Sequence, residues 1–244
     1  MKVSVVTTTK SSRENVDRLI TSINKIKNSI HEFILVDAGT PDIWDVMSED
    51  YHIPTIVDGA GSSRGGGKNI GIKKASGDVV AFLDDDTEVD VGWVDEIKRS
   101  MKSYSVVAGF SPNPVGRSLG RVSVFVDGQD VTWPTCNIAY KKSLFDELGL
   151  FDEGLVTGED IDFNIRCVKA GYVIGYNPRM IVFHYHRSSF RGFARQAFWN
   201  GYGRRQLNLK YPDLRHMHQH GLRFRNICRL GFGALGYLTG GVVR

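Results

Sequence analysis

The sequence predicts an α/β fold with a mostly parallel central sheet flanked by helices, followed by a basic helical C-terminal extension. Short apolar runs without alternation, such as residues 79–83, indicate strands that are buried on both faces. Between these runs lie segments with apolar residues at helical spacing, such as residues 16–26. Strands that alternate with helices in this way are typical of parallel βαβ units.

The individual elements follow from these patterns and from the residues that cap or end them. Ser11 and Ser12 are suited to cap the first helix, and Gly149 is suited to end a short one. Strands are predicted at residues 3–8, 33–37, 55–57, 79–83, 105–109, 122–126, 172–176 and 180–184. Helices are predicted at residues 13–28, 43–49, 68–75, 93–104, 141–148, 158–171 and 188–209.

Length and charge describe a sizeable body with a basic tail. The 244 residues can form one large α/β domain or two small ones with a substantial core. Residues 187–244 contain eleven Lys or Arg and one acid, a charge of +10, so the rest of the chain carries −6 of the total of +4. This asymmetry suggests an anionic partner for the tail, such as phosphate, nucleic acid or a membrane surface.

The cysteines and the N-terminus bear on the compartment. Cys136, Cys167 and Cys228 are far apart and lack Cys-x-x-Cys spacing, which argues against a disulfide framework or a zinc site and favours a reducing compartment. The N-terminus begins with a strand-like run and shows no secretory signal. We therefore expect a cytoplasmic protein, at the cytoplasmic face of the membrane where the tail contacts lipid.

Three consecutive carboxylates, Asp84, Asp85 and Asp86, follow the buried run at residues 79–83. Ligands bind at the carboxyl ends of strands in open α/β sheets, and clustered like charges need a cation or hydrogen-bond donors. In an extended backbone Asp84 and Asp86 lie on one side and Asp85 on the other. The first and third carboxylates are therefore predicted to converge on a hard divalent cation, Mn²⁺ or Mg²⁺. The alternative is a solvated acidic turn.

Two further segments carry candidate chemistry. The glycine-rich residues 59–67 can present backbone N–H groups to a phosphate, with Arg64 and Lys68 as counter-charges; the alternative is a flexible loop. Acids begin the predicted helix at residues 158–171, where they favour the helix by themselves. Helix capping is therefore the favoured interpretation of these acids, and a carboxylate at this position is expected to stay ionised near neutral pH.

The tail combines a long aromatic helix with an apolar end. The aromatic residues of the helix at residues 188–209 are expected to pack on the body, with arginines between them. Residues 227–243 are apolar and glycine-rich but are interrupted by Arg229, which makes a bilayer span marginal. An interfacial helix or a protein contact is favoured there.

An ordered set of motifs resembles those of the family 2 glycosyltransferases over about residues 2–190. The run Gly77-Asp78-Val79-Val80-Ala81-Phe82-Leu83-Asp84-Asp85-Asp86 is close to the family's Gly-Asp-x-x-x-Phe-Leu-Asp-x-Asp signature. Gly158-Glu159-Asp160 resembles its Glu-Asp motif, and Val182-Phe183-His184-Tyr185-His186 resembles its His strand. Further similar runs lie at residues 3–10, 36–40, 67–71, 135–139 and 151–153.

The resemblance implies an inverting, metal-dependent glycosyltransferase of the hexosyltransferase class. Such an enzyme moves a sugar from a nucleotide-diphosphate sugar to an acceptor hydroxyl, including a lipid-linked or membrane-associated acceptor. The resemblance further implies a GT-A nucleotide-sugar-binding and catalytic domain at residues 1–190. The residues beyond it, 191–244, are predicted from their own pattern to form a basic, aromatic-rich helical tail with an apolar C-terminus. The implied cofactor is a divalent cation, and the implied tail partner is a membrane surface rather than nucleic acid.

Site residues are carried over from the resemblance by position. Asp160 is the implied general base, and Glu159 lies beside it at the acceptor site. The implied metal ligands are Asp84, Asp86 and His184, with His186 as the substitute for His184. The implied donor-binding residues are Thr7, Thr9, Asp37, Arg64, Lys68, Asn69, Asp84, Asp85 and Asp86. The implied acceptor-binding residues are Trp133, Asn137 and Glu159.

The chain departs from the family pattern at two positions, and other functions also fit the residues. Lys68 stands where the family usually has Arg, and it keeps the charge but loses bidentate phosphate contact; Ala38 stands where many members have Asp. One alternative is a sugar-phosphate nucleotidyltransferase, which would release pyrophosphate. Another is a non-catalytic nucleotide-sugar-binding subunit whose tail docks on a membrane partner. Nucleic-acid binding is disfavoured because apolar residues are interleaved with the basic ones of the tail.

Overall fold

A computed structural model describes residues 1–10, 13–39, 55–114, 123–185, 190–213, 215–217 and 224–240. The predicted helix at residues 43–49 lies outside the described residues, as do the capping residues Ser11 and Ser12 and the substitute ligand His186.

The described residues form the following elements. The strands are β1 Val3–Thr9, β2 Glu32–Asp37, β3 Thr55–Asp58, β4 Val79–Asp84, β5 Thr87–Val89, β6 Val106–Phe110, β7 Ser123–Val126, β8 Gln129–Asp130, β9 Ile138–Lys141, β10 Ile174–His184 and β11 Arg215–Met217. The helices are α1 Arg13–Lys25, α2 Arg64–Lys74, α3 Trp93–Ser100, α4 Ser143–Leu148, α5 Glu159–Lys169, α6 Phe190–Lys210 and α7 Phe224–Thr239.

Eight strands form the central sheet in the order β3-β2-β1-β4-β9-β6-β10-β5. The first four are parallel neighbours, and β6 is parallel to β10. Strand β9 is antiparallel to both β4 and β6, and β5 is antiparallel to β10 at the edge. The predicted α/β fold with a mostly parallel sheet is therefore confirmed, while β5, β8, β9 and β11 are absent from the prediction.

The sheet is covered on both faces, as the unbroken apolar runs predict. Successive strand residues point to opposite faces, so Ala81 belongs to one hydrophobic core and Phe82 to the other. The first core includes Leu19 of α1 and Trp93 of α3. The second includes Phe163 of α5, within a group of aromatic rings that contact one another edge to face, stacked or tilted.

The glycine-rich segment is not a loop throughout, which corrects the prediction. Helix α2 begins at Arg64, four residues before its predicted start, and the Ser63 side chain accepts a hydrogen bond from the Gly66 N–H as its N-cap. A Cβ added at Gly65 or at Gly67 would lie 3.0 Å from a neighbouring atom. Those glycines therefore let the first turn of α2 pack closely on the body. Their backbone N–H groups belong to this helical turn and not to a loop.

Two other predicted elements differ from those observed. The predicted strands at residues 172–176 and 180–184 are one strand, β10, whose pairing with β6 shifts register between Asn177 and Ile181. The predicted helix at residues 93–104 ends at Ser100 and continues as a turn.

The basic tail lies against the body of the protein. Gln206 of α6 accepts a hydrogen bond from the Val156 N–H, and Lys210 lies 2.7 Å from Asp162, which is fully buried. Helices α6 and α7 approach each other closely at Gly201 and Gly233, where a Cβ at Gly201 would collide with the facing backbone. Within the described parts of the chain, no helix combines the length and the apolar character that crossing a membrane requires.

Candidate active site

Polar side chains lie in a row where the parallel strands β2, β1 and β4 end. Asp37 pairs in register with Thr9, and Thr8 pairs with Asp84. The Thr9 hydroxyl donates a hydrogen bond of 2.8 Å to Asp85, and Asp37 accepts one of 3.0 Å from the Gly39 N–H. This edge of the sheet therefore presents carboxylates at the ends of β2 and β4, on either side of β1.

Thr7 lies two residues before Thr9 on β1. Its side chain is fully buried, and its hydroxyl has no hydrogen-bond partner in the part of the chain that the structure describes. Both threonines therefore lie at this strand end, where contacts with the nucleotide-sugar donor are predicted, although the side chain of Thr7 is buried.

The carboxylates that follow β4 meet the end of β10. Because β5 pairs with β10, the backbone brings the intervening turn beside His184. The His184 Nε2 atom lies 3.0 Å from Asp86 Oδ1 and 3.9 Å from Asp84 Oδ2. Asp84 and Asp86 thus face one imidazole while Asp85 faces Thr9, so the first and third carboxylates lie on one side and the second on the other, as predicted. The cause differs from the predicted one, because Asp85 and Asp86 lie in a turn and not in an extended strand.

Cys136 is a member of this cluster that the sequence reasoning missed. The carboxylate of Asp84, the thiol of Cys136 and the imidazole of His184 each place one ligand atom within 4.8 Å of the other two. Carboxylate, imidazole and thiolate are ligands for divalent first-row metals, so this donor set fits a cation. The residue lies just before β9, a strand that local periodicity does not reveal, and the available signal was its place in the motif at residues 135–139.

The carboxylates and the thiol of the cluster favour the protonated form of the His184 imidazole. Burial works to lower the pKa of His184, but hydrogen bonds to Asp86 and Cys136 and the nearby charge of Asp84 outweigh it and raise that pKa to about 11. The imidazolium therefore balances the carboxylates in the structure. A metal ion bound by His184 would take over that balance and displace the imidazole proton.

Lys68 has a different place from the one predicted for a phosphate counter-charge. Its ammonium is buried and lies 2.5 Å from Glu159 Oε1 and 2.5 Å from the Thr135 hydroxyl. Burial works to lower the pKa of Lys68, but the nearby carboxylates raise it above the ordinary value, with Glu159 contributing most. Burial likewise works to raise the pKa of Glu159, and Lys68 lowers it. The two groups form a buried ion pair.

Asp160 follows Glu159 in the first turn of α5. Its carboxylate accepts a hydrogen bond of 2.8 Å from the Ile161 N–H and another from the Thr135 N–H. Burial and the neighbouring charge of Glu159 nevertheless raise the pKa of Asp160 to about 6. The position of Asp160 at the helix N-terminus therefore does not keep its pKa at the ordinary value for an aspartate. The result is a stronger base that is still ionised at neutral pH.

Two residues that were predicted to contact substrates, Asn137 and Asn69, instead make hydrogen bonds within the protein interior. The Asn137 carbonyl accepts a hydrogen bond from the Trp93 indole, and its amide donates to the backbone oxygens of Phe110 and Met180. Asn69 exchanges hydrogen bonds with the backbone of Phe151 and also donates to Glu153. Both side chains are 2% exposed. Asn69 holds the segment at residues 151–153 and Asn137 holds strands β6 and β10, so the predicted acceptor contact of Asn137 and donor contact of Asn69 are corrected.

Trp133 and Arg64 remain accessible. The half-buried Trp133 ring stacks on Tyr176 with centroids 4.9 Å apart, and its backbone oxygen accepts a hydrogen bond from Asn164. Arg64 is exposed at the start of α2, and its charge contributes to the lowered pKa of Glu159. Both side chains therefore retain surface that is exposed to solvent.

The sheet order and the carboxylates at its carboxyl edge define a GT-A-type fold. A family model described as glycosyl transferase family 2 matches residues 4–146, and one described as glycosyl transferase family group 2 matches residues 79–239. The chain belongs to glycosyl transferase family 2.

Named relatives of the chain include two glycosyltransferases. The chain is 29% identical to the pre-mycofactocin glycosyltransferase of Mycobacterium tuberculosis over 86% of its own length, but spans only 48% of that protein. It is 24% identical to the glucosyl-dolichyl phosphate glucuronosyltransferase of Haloferax volcanii, over 87% of this chain and 79% of that one.

Solved structures show the same fold at low sequence identity. TarS residues 1–349 of S. aureus, in complex with UDP-GlcNAc, gives a TM-score of 0.65 at 15% identity, over 95% of this chain and 71% of that one. The mannosyltransferase PcManGT of Pyrobaculum calidifontis, in complex with GDP-Man and Mn²⁺, gives 0.65 at 14% identity, over 100% and 76%.

Proposed function

We propose that the chain transfers a sugar from a nucleotide-diphosphate sugar to an acceptor hydroxyl with inversion at the anomeric carbon. One observation carries the proposal: two consecutive residues, Thr135 and Cys136, join a base site to a cation site. Thr135 contacts both Lys68 and Asp160, and Cys136 contacts His184. Consecutive Cα atoms are about 3.8 Å apart, so adjacent residues of one segment contact both the base site and the leaving-group site.

Asp160 is the proposed general base. Its carboxylate takes the proton of the acceptor hydroxyl while the acceptor oxygen attacks the anomeric carbon. The bond from that carbon to the diphosphate oxygen breaks, and the nucleoside diphosphate leaves on the opposite face of the sugar. A base that holds the acceptor in this position also removes part of the entropic cost of bringing two molecules together. The pair of Lys68 and Glu159 fixes the first turn of α5, and so holds Asp160 in place.

A divalent cation fits the cluster at the end of β4. Asp84 and His184 would hold it, with Asp86 beside the imidazole. When bound, it would supply a positive charge that stabilises the departing diphosphate. The structure of PcManGT in complex with GDP-Man and Mn²⁺ supports a cation of this kind. The row formed by Asp37, Thr9 and Asp85 is the proposed contact for the nucleoside of the donor.

The acceptor is proposed to be lipid-linked, with the tail at a membrane surface. A relative named as a glucosyl-dolichyl phosphate glucuronosyltransferase supports a lipid-linked acceptor. Phe190 of α6 and Leu235 and Leu238 of α7 are exposed, and Arg191 and Arg195 are exposed nearby in sequence. Apolar side chains beside cations suit the interface of an anionic membrane.

The test of sugar transfer uses the purified chain with UDP-, GDP- and dTDP-sugars and a divalent cation. We expect one donor to bind by isothermal titration calorimetry and to release nucleoside diphosphate, and not pyrophosphate, when a lipid-linked acceptor is added. Asp84→Ala is expected to lose donor binding, whereas Asp78→Ala, which removes an acid at the opposite end of β4, retains it. A wild-type protein that binds none of these donors would contradict the proposal.

The membrane contact is tested by flotation with vesicles. We expect binding to phosphatidylglycerol vesicles that weakens with salt, because each basic residue near an anionic surface contributes about 1 kcal/mol. Leu238→Glu should reduce binding, while Val173→Glu, a change at an exposed apolar residue of the body, should not. Equal flotation with neutral vesicles, or no effect of Leu238→Glu, would argue against this surface.

A further inference from the structure

We propose that Cys136 is a protein ligand of the cation, together with Asp84 and His184, and that its sulfur makes the site favour thiophilic divalent ions such as Zn²⁺ and Co²⁺ over Mg²⁺. The inference deepens the proposed function and rests on the same site. It concerns which residues bind the ion, and it can be tested without any sugar transfer.

The separations allow one ion to reach all three side chains. Their ligand atoms lie within 4.8 Å of one another. Metal–nitrogen and metal–oxygen bonds are about 2.0–2.2 Å and metal–sulfur bonds about 2.3 Å, so two ligands of one ion lie at most about 4.5 Å apart. Small side-chain rotations therefore suffice to close the cluster around one ion.

The three ligands come from separate elements that the fold holds in place. Asp84 ends β4, His184 ends β10, and Cys136 lies just before β9. Strand β9 pairs with β4, and the Asn137 side chain ties the start of β9 to the backbone of Met180 in β10. The thiol is thus fixed between the two other ligands by ladder and amide hydrogen bonds.

Cys136 also differs from an ordinary buried cysteine. It is 2% exposed, yet its thiol shares a hydrogen bond with His184 and lies 3.8 Å from the Ser111 hydroxyl. Cys167 is the contrasting case: it belongs to a hydrophobic core with aromatic residues, and burial raises its pKa to about 12. One thiol faces polar ligand groups, and the other is a packing residue.

The sulfur changes the choice of ion. A thiol binds metal as the thiolate and releases its proton to solvent on binding. Soft thiolate ligands favour ions such as Zn²⁺, whereas Mg²⁺ takes oxygen ligands and would depend on Asp84 and Asp86 alone. Removing the sulfur should therefore weaken the binding of thiophilic ions and leave the binding of Mg²⁺ nearly unchanged.

The experiment titrates the full chain, reduced and freed of metal, with Co²⁺ and monitors its near-ultraviolet absorption. We expect a sulfur-to-cobalt charge-transfer band in the wild type that Cys136→Ser lacks. Calorimetry should show Zn²⁺ binding weakened by at least about 10-fold in Cys136→Ser, with Mg²⁺ binding unchanged. Cys167→Ala is the matched control, since it removes a buried thiol outside the cluster and should keep the band.

Several outcomes would overturn the proposal: no band in the wild type, a band that persists in Cys136→Ser, or an equal loss of Zn²⁺ and Mg²⁺ binding. The wild-type spectrum does not depend on any variant folding, and Cys136→Ala provides a second substitution. A cysteine-dependent band in a protein that transfers no sugar would support the ligand assignment and contradict the proposed function, so the two failures are distinguishable.

Discussion

Asp160→Asn is expected to lower kcat by about 10²–10⁴-fold while leaving the affinity for the donor unchanged, because it removes the proposed general base. The amide has nearly the shape of the carboxylate, and its oxygen can still accept the hydrogen bond that the Ile161 N–H donates at the start of α5. Steady-state release of nucleoside diphosphate and calorimetry of donor binding measure the two effects. Asp146→Asn, at an exposed acid in the first turn of α4, is the control and should be fully active.

The same carboxylate predicts two pH effects. With the pKa of Asp160 at about 6, wild-type kcat/KM should level off above that pH and fall about tenfold per unit below it. The folded-state pKa is raised, so ionising Asp160 costs stability as pH rises through about 6. Asp160→Asn should therefore increase the free energy of unfolding at pH 8 by about 1–2 kcal/mol, with no gain near pH 4. An active variant, or one destabilised at pH 8, would contradict the assignment.

The parts of the fold that were predictable are those with a local pattern. The residues of β4 are apolar in succession because both faces of the sheet are covered, and such a run is visible without any tertiary information. Helix α1 likewise shows its buried stripe in its own sequence. In each case the buried residues that define the element are close together in its own sequence.

Strand β9 had no such pattern. It has four residues, and Lys141 is its last. Its position in the middle of a parallel sheet follows from antiparallel pairing with β4 and β6, which lie far from it in sequence. Sequence periodicity indicates which side chains of a segment are buried, but it does not indicate which strands pair with that segment. The error mattered for the site, because Cys136 owes its position beside His184 to this strand.

The candidate site shows the same division. The carboxylates of Asp84 and Asp86 and the imidazole of His184 were predictable as a group because they are ligand types at strand ends. The roles of Asn69 and Asn137 were not, because most of their partners are backbone groups up to 82 residues away, and a backbone group leaves no mark in the sequence. Lys68 has the charge expected of a phosphate contact, and only burial beside Glu159 shows otherwise.

Lys68→Met is expected to reduce the free energy of unfolding by about 3–5 kcal/mol at pH 8, because it leaves the buried carboxylate of Glu159 without its cation. Methionine keeps most of the apolar stem, so the loss of the ammonium dominates. Glu159 is 3% exposed, and water cannot replace the lost partner. Urea denaturation measures the change. Lys73→Met, at an exposed lysine of the same helix, should be nearly neutral.

The pH dependence and a second substitution separate an ion pair from a phosphate contact. In the wild type Lys68 lowers the pKa of Glu159, so the pair contributes stability above the ordinary pKa of a glutamate and loses it in acid. Without Lys68, burial is left to raise that pKa, and the deficit of Lys68→Met should shrink from pH 8 towards pH 5 as Glu159 takes up a proton. Lys68→Met with Glu159→Gln should recover most of the stability at pH 8, because no buried charge remains. If Lys68 instead served the donor phosphates, Lys68→Met would weaken donor binding at nearly full stability, and Glu159→Gln would restore nothing.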